Sequence, residues 1–360
     1  MIRLSWRQFR TQAAVAFGVL VAIAIVLIAT RPHLVYLYNI YAKAQAACAT
    51  TRDCRDVSIK LNQVDKLLQL LGTALVAVPA LVGAFWGAPL IAREFEAGTH
   101  RLAWTQSITR TRWLAAKVAV VGLASVVVTG LLSLLVTWWS SPLDRANANR
   151  FGSGMFGERN IAPLGYAAFG FAVGVAAGLL IRRTLPAMAS TLVAVLAVRI
   201  AFTYAVRPNL LTPLRKALVL DPSATGFGSN NGGPSTLFPN PPDMPNAWIY
   251  STRVVDNAGD GLSPHLVATT CPSLGSIGPP PVAGQGAVRV QAPNDVQSAL
   301  HDCVQKIGAT YHVVVTYQPA NRYWPLQWFE TGVFLAAALA IVGFCFWWIR
   351  RGRRTRGRRS

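Results

Sequence analysis

Apolar positions in this chain are gathered into long runs. The charge-free runs are Ala13–Thr30, Thr73–Ala92, Val118–Leu143, Ile161–Ile181 and Thr331–Ile349, and a sixth, Thr184–Val206, is interrupted only by Arg199. A helix of about 18 residues spans roughly 27 Å, close to the thickness of the hydrocarbon core. The pattern therefore predicts six transmembrane helices. Pro79 and Pro89 lie in the second run and predict a kink there. Ahead of the first run, Ile2, Trp6 and Phe9 share one helical spacing, and Arg3, Arg7 and Arg10 repeat it one step on. This predicts an amphipathic helix over 1–12, lying along the inner membrane surface.

The intervals between runs differ in character. Residues 31–72 hold Tyr36, Tyr38 and Tyr41, an interface signature, and the spacing over Val57–Leu71 predicts a helix leading into the second span. Residues 207–330 are rich in Pro, Gly, Ser and Asn, with strand-like pieces at Ala287–Gln291 and Tyr311–Tyr317 around a helical pattern at Asp295–Ile307. The predicted fold class is an all-α polytopic membrane protein with a small loop-rich α+β extracytoplasmic domain between helices 5 and 6. Its parts are the helix 1–12, helices one to five within 13–206, the outer domain 207–330, helix six at 331–349 and a basic tail at 350–360. Trp324 and Trp328 would sit at the outer interface, and Trp347 and Trp348 at the inner one.

Composition agrees: 52% of residues are hydrophobic and only 13% are charged, against about a quarter charged in an average soluble domain. Lys and Arg number 34 against 14 acids, a formal charge of +20. With the N-terminus in the cytoplasm, the inner segments 1–12, 93–117, 182–183 and 350–360 hold 17 Lys/Arg and two acids. The far longer outer segments hold 16 and 12. That is the positive-inside distribution, and it predicts a multi-pass plasma-membrane protein with both termini cytoplasmic. The first run reads as an uncleaved anchor, since no A-x-A site follows it. The tail Arg350–Arg359 is read as a contact for anionic lipid and not for nucleic acid. Cys48, Cys54, Cys271 and Cys303 all fall outside, with Cys345 in the last span. Four outer cysteines permit three pairings. The nearest-neighbour one is Cys48–Cys54 with Cys271–Cys303, which an oxidising exterior favours.

Catalytic chemistry is not encoded in any pattern here. Neither G-x-S-x-G nor H-E-x-x-H occurs, and none of the histidines His33, His100, His265, His301 and His312 has a metal-ligand partner at suitable spacing. No metal site and no cofactor is expected in this chain. None of the six lysines follows a glycine, which excludes a P-loop. Any ATP and Mg would be bound by a separate subunit. Within the spans only Arg199 is ionisable. It reads as a snorkelling or structurally paired residue, with a pathway-lining role as the other reading. Gly170, Gly174 and Gly178 form two overlapping G-x-x-x-G units, which predict close helix packing, within the chain or with a second copy.

The cytoplasmic loop 93–117, REFEAGTHRLAWTQSITRTRWLAAK, is far longer than a turn requires and is the only inner segment with acids. It can place a short helix against another protein, with Gly98 as a hinge and Thr105 or Ser107 as a cap. The loop resembles the cytoplasmic signature of ABC-2 type transporter permeases. There an acidic pair precedes Gly-Thr, then a Ser/Thr/Pro segment, an Arg, and a Lys opening the next span. Glu94, Glu96, Gly98, Thr99, Ser107, Arg110 and Lys117 match in order; Ile108 and Thr109 stand where a Pro is common. The resemblance implies the permease subunit of a bacterial ABC exporter, paired with a second permease copy and two ATPase subunits. Glu94, Glu96, Gly98, Thr99, Arg101, Ser107 and Arg110 would then serve coupling to the ATPase. A membrane-anchored receptor or envelope-assembly protein, binding a ligand through 207–330, is the alternative.

Overall fold

The structure is a computed structural model that describes residues 2–47, 75–98, 109–146, 150–151, 156–228, 236–240, 242, 244, 246–275 and 294–351. Cys48, Cys54, the expected helix Val57–Leu71, Thr99, Arg101, Thr105, Ser107, the expected strand Ala287–Gln291 and the tail beyond 351 lie outside those residues. The chain divides into two compact units, Met1–Leu211 with Asn321–Ser360, and Thr212–Ala320.

The first unit is helical. Helix α1 runs unbroken over Ile2–Ala47. Residues 2–12 therefore begin the first long helix instead of forming a separate element, and Tyr36, Tyr38 and Tyr41 ride on its continuation instead of in a loop. Nothing around Thr11–Ala14 breaks a helix, and Pro32, which lies inside α1, removes a single backbone donor. The expected second span is built from α2 (Val78–Val82), a π-helical turn (Gly83–Gly87) and α3 (Ala88–Glu96). Pro79 and Pro89 each stand in the first turn of their piece, where a missing N–H costs least, and the Ala88 N–H reaches back five residues to Gly83. Then follow α4 (Arg110–Ala146), α5 (Ala162–Ile181) and α6 (Thr184–Ala201), which continues as a π turn and a 3₁₀ turn to Asn209. A final helix of this unit spans Tyr323–Arg351 and is numbered α10 after those of the second unit.

Among the described residues five helices are long and apolar enough to cross a membrane: Ala13–Ile40, Arg110–Pro142, Ala162–Ile181, Thr184–Asn209 and Ala320–Arg351. Helix α5 is the centre of the unit: 61% of its apolar window is buried, against 11% for the first helix. A helix that is apolar all round suits either a protein core or a lipid setting, and α5 takes the core. α10, α6 and the α2–α3 stretch all pack on α5. α1 packs on α4 instead, where Leu20, Leu27 and Leu34 meet Leu132, Val136 and Trp139, and the Trp139 indole N–H donates to the Thr30 hydroxyl at 3.0 Å.

The second unit has an antiparallel sheet of β1 (Leu214–Leu218), β5 (Tyr311–Gln318) and β4 (Trp248–Asp256), in that order, and a hairpin of β2 (Thr225–Gly228) with β3 (Thr236–Pro239). Helices α7 (Pro264–Thr270), α8 (Pro272–Gly275) and α9 (Asn294–Gly308) complete it. The expected helix and second strand are thus present. The unit is narrower than the expected 207–330, because Arg207 and Glu330 are buried in the helical unit. Its core joins Val254, Val267, Val304, Ile307 and Val315 around a disulfide between Cys271 and Cys303. The bond closes a separation of 32 residues, for which chain entropy gives about 3–4 kcal/mol. Cys271→Ser with Cys303→Ser is expected to lower the stability of this unit by that amount, read as an earlier unfolding transition of the full chain by calorimetry.

Candidate functional site

Chemistry-bearing side chains gather at two places in the helical unit. The first is the end of α3 and the start of α4. Glu94 forms an ion pair with Lys117 and accepts a hydrogen bond from the Trp113 indole N–H at 3.2 Å. Lys117, only 5% exposed, also donates to the Leu90 carbonyl at 3.4 Å. Three side chains thus lock α3 to α4 on either side of the loop. Two residues on, Glu96 accepts from the Thr184 hydroxyl at 2.5 Å and the Thr184 N–H at 3.2 Å, tying the end of α3 to the start of α6. Those hydrogen bonds, with Arg183 nearby, hold the Glu96 carboxyl below the usual carboxylate range. A lowered carboxylate stabilises the fold above its unfolded pKa, and this is lost as pH falls through the folded value. The contact is therefore in force at neutral pH.

Gly98 has φ +69° and follows the helix end at Ala97, with its N–H on the Phe95 carbonyl at 3.3 Å. It is a left-handed helix stop, which a glycine adopts without steric cost. Thr109 caps α4: its hydroxyl accepts from the Arg112 N–H at 3.3 Å. Arg110 is the first residue of that helix.

The second place lies at the far ends of the same helices. The segment between α4 and α5 turns into the bundle, so that Phe151, Phe156, Glu158 and Arg159 are all buried. Glu158 pairs with Arg199 of α6, and Arg207, eight residues on at the start of the 3₁₀ turn, is held by both oxygens of Glu330 on α10 at 2.7 and 3.1 Å. Tyr166 of α5 joins the pairs. Its hydroxyl donates to Glu330 and accepts from Arg207 at 3.3 Å, and the Arg199 guanidinium lies 3.4 Å from its ring centre. Gln327 donates to the Phe156 carbonyl at 2.8 Å and accepts from the Ala162 N–H at 3.0 Å. Burial pushes the Glu158 carboxyl up, against the pull of Arg199. A Cβ at Gly157 would stand 3.0 Å from Arg207 and 3.3 Å from Arg199, so both guanidiniums would have to give by a few tenths of an ångström.

Of the residues singled out from sequence, Glu94 and Glu96 come together with α4 and α6, while Thr99, Arg101 and Ser107 fall outside the described residues. Arg199 does not snorkel: it is 3% exposed and paired. Gly170, Gly174 and Gly178 face the α2–α3 stretch of the same chain, where a Cβ would meet the carbonyls of Pro79, Gly83 and Ala88 at 2.3, 2.2 and 2.5 Å. Sequence reading missed Glu158, Arg207, Glu330 and Tyr166 as site residues. Each charged one lies just beyond a charge-free run, where an apolar window ends although the helix continues or the chain folds back. The signal available was that Arg207 and Glu330 flank the second unit on either side, each next to an apolar run.

No curated protein and no solved structure matches the chain. Residues 17–207 match the family model described as ABC-2 membrane transporter related. That stretch carries both the Glu94–Lys117 joint and the Glu158–Arg199 pair, and it covers more than half of the 360 residues, so the chain belongs to the ABC-2 membrane transporter related family.

Proposed function

We propose that the protein is the permease subunit of an ABC-type exporter, spanning the plasma membrane six times with both termini in the cytoplasm. The observation that carries this is the clamped joint at 93–117 inside the family match: Glu94, Trp113 and Lys117 brace α3 and α4, and Glu96 reaches α6. A push delivered to the loop between Gly98 and Thr109 would reach three helices at once. The ATP-hydrolysing step belongs to two separate subunits that would seat on this loop, and a second permease copy would complete the path. Density of basic residues puts the loop and the termini on the ATP side. Movement of the joint would switch the bundle between inward and outward access.

Co-purification in mild detergent tests the reading. An ATPase subunit held at equal stoichiometry supports it. A partner with no nucleotide site, bound through 212–320, would favour the receptor or envelope-assembly reading, which the folded, disulfide-bonded second unit supports. In the complex, Glu96→Lys places a cation against Arg183 and removes the acceptor for Thr184. Permease-dependent ATPase activity is expected to fall roughly five- to hundredfold, the range of ordinary coupling free energies between sites. Unchanged activity would remove Glu96 from the coupling path.

A further inference from the structure

Helix α4 carries a row of hydroxyl side chains, and their partners can be followed one by one. Ser125 donates to the Val121 carbonyl at 2.8 Å and Ser133 to the Asn160 carbonyl at 2.8 Å. Thr137 donates to the Ser133 carbonyl at 2.7 Å and accepts from the Asn160 N–H at 3.1 Å. Ser140 accepts from Arg159 at 3.2 Å. Thr129 breaks the pattern. It is 2% exposed, and its hydroxyl has no hydrogen-bond partner among the described residues, not even the carbonyl one turn back. A buried hydroxyl left unpaired is costly, and lone cases call for an explanation.

Thr129 lines a partly open pocket of about 10 Å³ with Ser133 and Glu158, beside Leu75, Val78, Pro79, Leu132 and Pro163. That volume is about the least that admits one water, and a small cavity is wet only when two to four polar groups face it. Here three polar residues line it. The Thr129 hydroxyl has a proton to donate. Ser133 gives its own proton to Asn160 and keeps lone pairs. Glu158 uses Oε1 for Arg199 and has a second carboxylate oxygen.

We infer that this cavity is a binding site for a single structural water, which accepts from Thr129 and donates to Glu158 and Ser133. The water ties the middle of α4 to the buried ionic cluster. On the transporter reading, the helix that receives force at Lys117 is thereby linked to the pairs that brace α6 and α10. The existence of the site does not depend on that reading.

Substitution at Thr129 gives a test by sign. Valine has the shape of threonine without the hydroxyl. If the cavity is dry, Thr129→Val removes an unpaired buried hydroxyl and raises the unfolding midpoint of the detergent-purified protein. If the water is bound, the same change strips it of its donor and lowers the folding equilibrium roughly five- to thirtyfold. Thr129→Ser keeps the hydroxyl and is expected to fall less than Val. A Val variant as stable as the parent or more so overturns the inference, as does a Ser variant that loses as much as Val. The readout involves neither ATP nor cargo, so failure of the transporter reading would leave it untouched.

Discussion

Replacing Glu330 alone by leucine is expected to cost about 3–5 kcal/mol, because it leaves the Arg207 guanidinium buried without its counter-charge. Glu330 is fully buried and Arg207 is 3% exposed, with two hydrogen bonds between them. The informative comparison is with the combined variant Arg207→Met, Glu330→Leu, Tyr166→Phe. It removes the Arg207–Glu330 pair and the hydroxyl that serves it, at similar volume, and leaves Glu158 with Arg199. Taking two charges out of water is so expensive that an apolar replacement is often neutral or stabilising. The combined variant is therefore expected to recover most of the stability that the single variant loses, as measured by thermal unfolding in detergent. Equal losses in both would mean that the pair is a net source of stability. The expected pattern assigns the pair a different role, that of fixing register. Apolar helix faces slide past one another at little cost, whereas the bidentate contact fits only one alignment of α10 with the end of α6.

Gly174→Ala is the second large effect. A Cβ there would sit 2.2 Å from the Gly83 carbonyl oxygen and 2.9 Å from the Ala88 nitrogen. Both are backbone atoms, so no side chain can rotate away and the two helices must separate. Overpacking of this kind costs roughly 1–3 kcal/mol and at times more. Gly343→Ala on α10 is the control. No heavy atom lies within 4 Å of its Cβ position, and alanine in a helix interior is favoured over glycine by about 0.5–1 kcal/mol. Opposite signs at the two positions are expected in the same unfolding assay. Two destabilised variants would attribute the Gly174 effect to something other than the close approach.

The close approach shows where sequence reading stops. The G-x-x-x-G spacing marked one face of α5, and that much follows from a period of 3.6 residues. Its partner carries the same spacing in sequence, Gly83 and Gly87 in the second run, but only the packing shows that these two units face each other, with the second lying in a π-helical turn. The same holds for the ionic cluster. Arg199 was visible as a charge within an apolar run, but Glu158 lies in a segment that reads as an outer loop, and only the fold turns it inward. At the joint, the acids and Lys117 were picked out by their order. That Lys117 meets Glu94 while Glu96 reaches Thr184 depends on how three helices pack.

By itself the sequence determined that this chain lives in a membrane, roughly where its helices run, and that a disulfide-capable domain sits between the last two. Hydropathy and charge act residue by residue, and their effects survive without any knowledge of neighbours. The packing on α5, the inward fold of Phe156–Glu158 and the choice of ionic partners were decided only by the tertiary structure. Those features rest on distances of 2–4 Å between residues up to 171 positions apart, and one-dimensional patterns carry no information about which distant residues will meet.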